Sequence, residues 1–169
     1  MGEEWVILKG KWKELVKYED LWLQICWGSW FEIECLRNDY HRAHVVSKEI
    51  PDLQANQFIL HTRKFKLVIG KHMYRKEEKY YDIPPVIMNL LNALGPVGEP
   101  KTKYNNSWWD YHSRRIYYKH NPILNQGLNN LLRICKAKWI EDQDIPLTEK
   151  NRLHKEMQHS YDVVEKYYV

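Results

Sequence analysis

The sequence predicts an α+β protein in which an antiparallel β-sheet from the first half packs with amphipathic helices that come mainly from the second half. A length of 169 residues, with 44% hydrophobic and 28% charged residues, is typical of one folded globular domain. Apolar and polar residues alternate in several segments before residue 82, whereas apolar residues recur at helical spacing after residue 122. We therefore expect residues 1–169 to form a single domain, with an exposed loop around 95–107.

The N-terminal segments are predicted to form short elements and a hairpin. Residues 5–8 are a strand candidate that ends at Gly10, while apolar residues at helical spacing in 12–16 indicate one or two turns of helix. Two alternating apolar runs within residues 21–36 flank Gly28-Ser29. This pattern predicts a β-hairpin.

The middle of the chain is predicted to form two strands and a helix. Residues 58–69 alternate as a half-buried strand does, and after Gly70-Lys71 residues 72–81 can return as its partner. Pro84-Pro85 then opens a helix that runs to Leu94, with Gly95 just beyond its end.

The second half is predicted to be mainly helical. Residues 95–107 contain Gly, Pro and Asn without hydrophobic periodicity, which indicates a loop, and residues 115–119 are a possible strand. Pro122 then supports a helix whose apolar face holds Leu124, Leu128, Leu131, Cys135 and Trp139. A terminal helix, with Thr148 as its N-cap, is predicted from Leu153, Met157, Tyr161, Val164 and Tyr168.

Composition and terminal sequence favour an intracellular protein of the cytoplasm or nucleus. No apolar run approaches the roughly 18 residues of a membrane span, and the N-terminus lacks the pattern of a signal peptide. The three cysteines form no CxxC pair, which favours a reducing compartment. The common nucleotide-binding and nucleophile motifs are missing from the sequence, so no cofactor and no catalytic residue is predicted.

Positive charge is concentrated in two segments. Residues 61–80 hold seven Lys and Arg against two Glu, and residues 101–120 hold five Lys and Arg against Asp110 alone. The net charge of the whole chain is only +4, so the remaining residues are net negative. Such polarisation favours an anionic partner.

Aromatic residues are interleaved with the basic residues of the second segment. Cations that neutralise phosphates beside rings that stack on bases are typical of proteins that bind single-stranded nucleic acid. We therefore predict a non-enzymatic protein that binds an anionic polymer, RNA or single-stranded DNA. The candidate binding residues are Arg63, Lys64, Lys66, Lys71, Arg75, Lys101, Lys103, Tyr104, Trp108, Trp109, Arg114, Arg115 and Lys119.

Two other interpretations of the basic and aromatic segments stay open. The basic side chains can be an ordinary solvated face whose stems cover inward-packed rings. Alternatively, the chain is a small self-assembling structural protein, such as a viral matrix-type or coat-associated subunit. In that case the rings form contacts between homo-oligomer subunits, and the basic face meets a nucleocapsid or an anionic membrane.

Two short motifs suggest metal chemistry. Asp52, Glu77 and Lys79 follow the order of a PD…ExK nuclease site, in which carboxylates hold Mg²⁺ and the lysine supports the attacking water. His41 and His44 have the spacing of two metal ligands on one helical turn. Both motifs are short enough to arise by chance, so no metal site is predicted from them, and a PD-ExK-like metal-dependent nuclease is kept as a second alternative function.

Overall fold

The computed structural model describes residues 2–72, 75–120 and 128–158, leaving aside the side chains of 71, 72, 75, 76 and 128–131. Within these ranges the chain forms six helices and a four-stranded sheet, which confirms the α+β class. The elements are α1 (Gly2–Leu15), α2 (Leu21–Glu32), β1 (His44–Val46), β2 (Gln57–Ile59), β3 (Lys64–His72), β4 (Arg75–Asp82), α3 (Pro85–Leu94), α4 (Asn106–His120), α5 (Leu128–Glu141) and α6 (Leu147–Glu156).

The predicted hairpin at 21–36 is wrong, because most of this segment is helix α2. The Asp20 side chain caps its N-terminus by accepting a 2.8 Å hydrogen bond from the Leu23 backbone N–H. Nine of its twelve residues are buried, so the helix is apolar on nearly all sides and lies in the centre of the core. A continuous apolar run lacks the one-sided period of a surface helix, and this made it resemble alternating strands.

The predicted strand at 5–8 is also wrong, because helix α1 spans it. Trp5, Leu8, Trp12 and the following Val16 are buried at helical spacing, and they pack α1 against the central helix. The Trp12 indole donates a 2.9 Å hydrogen bond to the carboxylate of Glu32 at the end of α2. Helical spacing at 12–16 therefore extended further towards the N-terminus than predicted.

The sheet has the order β1-β2-β3-β4 and is mixed rather than fully antiparallel, since β1 and β2 are parallel. The single strand predicted at 58–69 is divided between β2 and β3. The predicted pairing of this segment with residues 72–81 is confirmed by the antiparallel pair of β3 and β4. Val45, Phe58, Phe65 and Tyr81 are register partners across all four strands, and all are buried. This row faces the helices and forms the sheet's part of the core.

The opposite face of the sheet is covered by the segment that connects β1 to β2. The Gln57 amide donates to the carbonyl of Ile50 and accepts from its N–H, both at 2.9 Å. Lys66, paired with Gln57 in register, is only 1% exposed, and its ammonium lies 3.2 Å from Glu78 and 4.0 Å from Glu49. Buried charge on this face is therefore neutralised locally.

Helix α3 begins after Pro84 and ends before Gly95, as predicted. The φ of Gly95 is 78°, a backbone conformation that favours glycine at the end of a helix. The chain from 95 to 105 then contains one isolated bridge, between Val45 and Gly98, and no longer element. The predicted strand at 115–119 is wrong, because these residues continue helix α4. Its buried residues start upstream at Trp109, so a five-residue window shows too little of the helical period.

The two C-terminal helices are confirmed over their described residues. Helix α5 begins at Leu128, and the predicted start at 122–127 lies outside the described residues. Helix α6 has Pro146 at its N-cap position, so the prediction of Thr148 as the cap is wrong. The predicted continuation past Gln158 also lies outside the described residues.

Candidate functional site

A groove of about 700 Å³ lies between one edge of the sheet and the loop that precedes α4. Four separate stretches of chain form its walls: the approach to β1, the end of the β1–β2 connection, the far half of β3, and the loop 99–105. The lining residues are Asn38, Arg42, His44, Gln54, Ala55, Asn56, Val68, Gly70, Glu99, Pro100, Lys101, Thr102, Tyr104 and Asn105. The groove thus joins the middle of the first basic segment, at Val68 and Gly70, to the start of the second.

The charged groups of the groove are mainly cationic. Arg42 and Lys101 are exposed, and neither has an ion-pair partner among the described residues. Glu99 is the one carboxylate in the lining, and His44 adds an imidazole. Two solvated cations without internal counter-charges are available to anionic ligands.

Amide side chains shape the walls of the groove. Asn56 donates to the Asp39 carbonyl at 2.9 Å and accepts from the Val68 N–H at 2.8 Å, so it fastens β3 to the chain that precedes β1. Asn105 caps α4 by accepting a 2.9 Å hydrogen bond from the Trp108 N–H. The side-chain oxygen of Asn105 is therefore used in capping the N-terminus of α4, beside the groove.

A row of rings, here called the aromatic ladder, leads out of the groove along α4 and consists of Tyr104, Trp108, His112 and Tyr111. Ring centroids are 4.7 Å apart between Tyr104 and Trp108, and 5.4 Å apart between Trp108 and His112. Tyr111 lies 5.0 Å from His112 and is 65% exposed. Tyr111 and His112 both stand about one turn after Trp108 on α4, so the helix backbone places these three rings close together.

The Tyr104 and His112 rings carry nearby cations. The Lys103 ammonium lies 4.9 Å from the centre of the Tyr104 ring. Arg115 donates a 3.1 Å hydrogen bond to Nδ1 of His112. Burial and the Arg115 charge lower the pKa of His112, so its neutral form, with the proton on Nε2, is favoured.

Buried contacts anchor the ladder to the core. His41 stacks on Trp109 with centroids 5.5 Å apart and ring planes 6° from parallel, and its Nε2–H donates a 2.8 Å hydrogen bond to Asn106. Trp22 donates to the His41 carbonyl at 3.0 Å, which ties the same residue to α2. His41 is fully buried, and burial lowers its pKa below the usual 6.5.

The first basic segment does not form one surface. Arg63 and Lys64 lie at the turn into β3, four to five residues before Val68 of the groove, which is roughly 13–17 Å along an extended strand. Lys64 pairs with Asp82, and Lys66 is buried beside Glu78. Lys71 and Arg75 belong to β3 and β4, and their side chains lie outside the described part of the structure.

The second basic segment is divided between the groove with its ladder and an ion-pair network around Glu19. Lys101, Lys103, Tyr104 and Trp108 lie at the groove and the ladder, and Arg114 is exposed on α4. Arg115 instead makes two hydrogen bonds of 2.6 and 2.8 Å to Glu19, which Lys119 approaches at 3.4 Å. The hydrogen bonds from Arg115 lower the pKa of Glu19.

Trp109 is only 1% exposed, so its ring is packed in the core and cannot stack on a base. It contacts Trp30 at a centroid distance of 4.5 Å, in addition to its stack on His41. The sequence could not distinguish Trp109 from its half-buried neighbour Trp108, because which indole faces inward is decided by the helix and not by composition.

The residues of the two metal motifs lie on different elements and have different surroundings. Asp52 is exposed in the β1–β2 connection, Glu77 is exposed on β4, and the Lys79 ammonium lies 2.9 Å from Glu156. His41 faces the core, whereas His44 lines the groove. Among the residues that the structure describes, no group of three or more His, Cys, Asp or Glu is placed to hold a metal ion.

Sequence reasoning missed the groove, although it singled out His44 as a candidate metal ligand. Asn38, Arg42 and Gln54 belong to two loops that carry no dense charge and no aromatic run, so no local pattern distinguishes them. The pairing of β1 with β2, together with the hydrogen bond from Asn56 to the Asp39 carbonyl, brings these two loops together.

Neither protein-family models, nor curated proteins, nor solved structures give a match to this chain. None of the helices in the described ranges combines the length and the apolar character that crossing a membrane requires. Any account of function therefore depends on the chemistry of the groove and the ladder.

Proposed function

We propose that this protein binds single-stranded nucleic acid, RNA or DNA, through the groove and the aromatic ladder, without chemically changing it. The observation that carries the proposal is the continuity of the two features, because Tyr104 is both a wall of the groove and the first ring of the ladder. A strand whose phosphates meet the groove cations can place successive bases against the rings of α4. Stacking of this kind is insensitive to sequence, since every base has a π-face.

In the proposed complex, basic side chains contact the phosphates and aromatic side chains contact the bases. Arg42 and Lys101 have no counter-charges among the described residues and supply the phosphate contacts, with Arg114 beyond the ladder. Trp108 and Tyr111 supply stacking surfaces. A duplex keeps its bases stacked inside the helix, so it offers only its phosphates and binds more weakly than a single strand.

The direct test is fluorescence anisotropy with a labelled 12-nucleotide RNA, the matching DNA and the RNA duplex over a series of salt concentrations. Tyr111→Ala removes an exposed ring, and we expect it to weaken RNA binding about 5- to 150-fold, which corresponds to roughly 1–3 kcal/mol of stacking. Trp108→Phe keeps a ring at the same place and should retain most of the affinity. Light scattering on the protein alone shows whether Tyr111→Ala instead changes self-association.

Salt dependence separates the phosphate contacts from the stacking contacts. Each phosphate contact contributes about 0.7 to the slope of log K against log salt for a single strand. Arg42→Gln together with Lys101→Gln should therefore reduce the slope by about 1.4. The matched control, Lys48→Gln with Lys155→Gln, removes the same charge from exposed positions outside the groove and should leave slope and affinity nearly unchanged.

Equal affinity of the wild type, Tyr111→Ala and the groove double variant would refute the proposal. Equal binding of the single strand and the duplex would refute the stacking role of the ladder, and would leave only a general attraction between cations and phosphates.

A further inference from the structure

Helix α1 exposes a face that the nucleic-acid proposal does not use. Its inner side is buried through Trp5, Leu8 and Trp12, and none of its residues lines the groove. The outer side carries two aliphatic residues that are 53% and 43% exposed, Val6 and Ile7. Exposed lysines follow them along the helix and the turn after it: Lys9, Lys11, Lys13 and Lys17.

Three of these lysines form a row of positions four residues apart. Lys9 and Lys13 lie on one stripe of α1, about 6 Å apart along its axis, and Lys17 follows in the turn after the helix. None of the three has an ion-pair partner among the described residues. Acidic residues on the outer side are fewer than lysines, namely Glu3 and Glu14.

The surface beside the row is open and partly apolar. A Cβ added at Gly10 would meet nothing within 4 Å, so no side chain rises over this part of the helix. Tyr18, three residues after the helix ends, is 89% exposed, and the Lys17 ammonium lies 5.3 Å from its ring. Val6 precedes Lys9 by three residues and Lys13 by seven, so it shares their side of the helix. Lysine stems beside an aliphatic side chain suit a lipid–water interface, because the ammonium groups stay at the headgroups while the carbon chains lie against apolar surface.

We propose that the outer face of α1 docks on an anionic lipid bilayer surface, with Lys9, Lys13 and Lys17 at the headgroups and Val6 entering the acyl boundary. The lysines favour an anionic lipid through charge complementarity. The exposed aliphatic residues favour a bilayer over nucleic acid. Val6 and Ile7 have no π-face on which a base could stack, whereas acyl chains accept them directly. The same helix is held to the core through its inner side, so docking requires no unfolding.

The experiment is co-sedimentation of the full chain with vesicles of phosphatidylcholine alone and of phosphatidylcholine with 30% phosphatidylserine. We expect partitioning onto the anionic vesicles only, with a loss when salt is raised. Lys9→Gln with Lys13→Gln should reduce that partitioning by about 30-fold, since each lysine near an anionic surface contributes roughly a fivefold factor. The control pair Lys48→Gln with Lys155→Gln has the same net charge and should keep most of the binding.

The aliphatic contribution has its own test, because Val6→Ser changes no charge and alters only an exposed side chain. It should weaken partitioning onto the anionic vesicles severalfold while leaving the thermal midpoint unchanged. Equal losses in the two double variants, or no loss in either, would overturn the proposal. Loss of RNA affinity in Lys9→Gln with Lys13→Gln while vesicle binding persists would overturn it too, by assigning the row to nucleic acid.

Discussion

Adding one methyl group at Gly28 and one at Gly10 should change stability in opposite directions, although both glycines lie inside helices. At Gly28 a new Cβ would stand 2.6 Å from Cδ1 of Ile87 and 2.6 and 2.8 Å from two carbons of the Trp12 ring. At Gly10 it would meet nothing within 4 Å. The pair therefore isolates packing from helix propensity.

The expected magnitudes follow from two opposing effects. Replacing glycine by alanine within a helix favours the folded state by about 0.8–1 kcal/mol. Insertion of a methyl group into a packed core costs about 1–3 kcal/mol. The Ile87 tip can rotate, but the Trp12 indole is 2% exposed and its N–H is bonded to Glu32, so the ring has little room to move.

Gly10→Ala should therefore raise the free energy of unfolding by about 0.8–1 kcal/mol, and Gly28→Ala should lower it by up to about 2 kcal/mol. For a chain of this size each kcal/mol shifts the thermal midpoint by roughly 2–4 °C. Urea unfolding followed by circular dichroism measures both variants. If Gly28→Ala proves as stable as Gly10→Ala, the close approach of α2 to α1 and α3 is refuted.

Three further predictions concern buried polar groups. Because burial lowers the pKa of His41, the neutral ring contributes stability that is present above about pH 6.5 and is lost on acidification. The thermal midpoint should therefore be lower at pH 5.5 than at pH 7.5, and this difference should be smaller in His41→Gln. Lys66→Met should change the free energy of unfolding by less than about 1 kcal/mol, because the partly exposed carboxylates that paired with Lys66 return to water. Glu78→Gln instead leaves the buried Lys66 cation without this partner and should cost about 1–3 kcal/mol. Urea titrations measure both variants. All three thiols are buried with raised pKa values, that of Cys35 to about 12, so alkylation at pH 8 should be slow until urea unfolds the chain; fast labelling of the native protein would contradict their burial.

The parts of the fold that the sequence predicted correctly are those with local signals. Helix α3 has proline at its start and glycine after its end, and β3 and β4 are neighbours in the chain that alternate clearly. Helix α2 was mistaken because its identity depends on tertiary burial on every side, which removes the one-sided pattern. Local propensity cannot decide between helix and strand for such a run.

The candidate site was only partly predictable for a related reason. Tyr104 and Trp108 stood out because rings and cations are dense around them in the chain. Arg42 reaches the groove only because β1 pairs in parallel with β2, which is a long-range event. Lys66 illustrates the converse, since counting charge along a segment cannot show that one lysine is buried beside its own counter-ions.

The tryptophans that join the core to the ladder also form a path for electronic excitation. Centroid distances are 5.9 Å from Trp27 to Trp30, 4.5 Å from Trp30 to Trp109 and 6.4 Å from Trp109 to Trp108. At such separations we expect excitation to be exchanged among these indoles before it is emitted, so that the half-buried Trp108 shares the light absorbed by the three buried rings. A quencher that contacts this one ring would dim the emission of the whole chain of indoles, which gives the native protein an unlabelled optical readout of events at its surface.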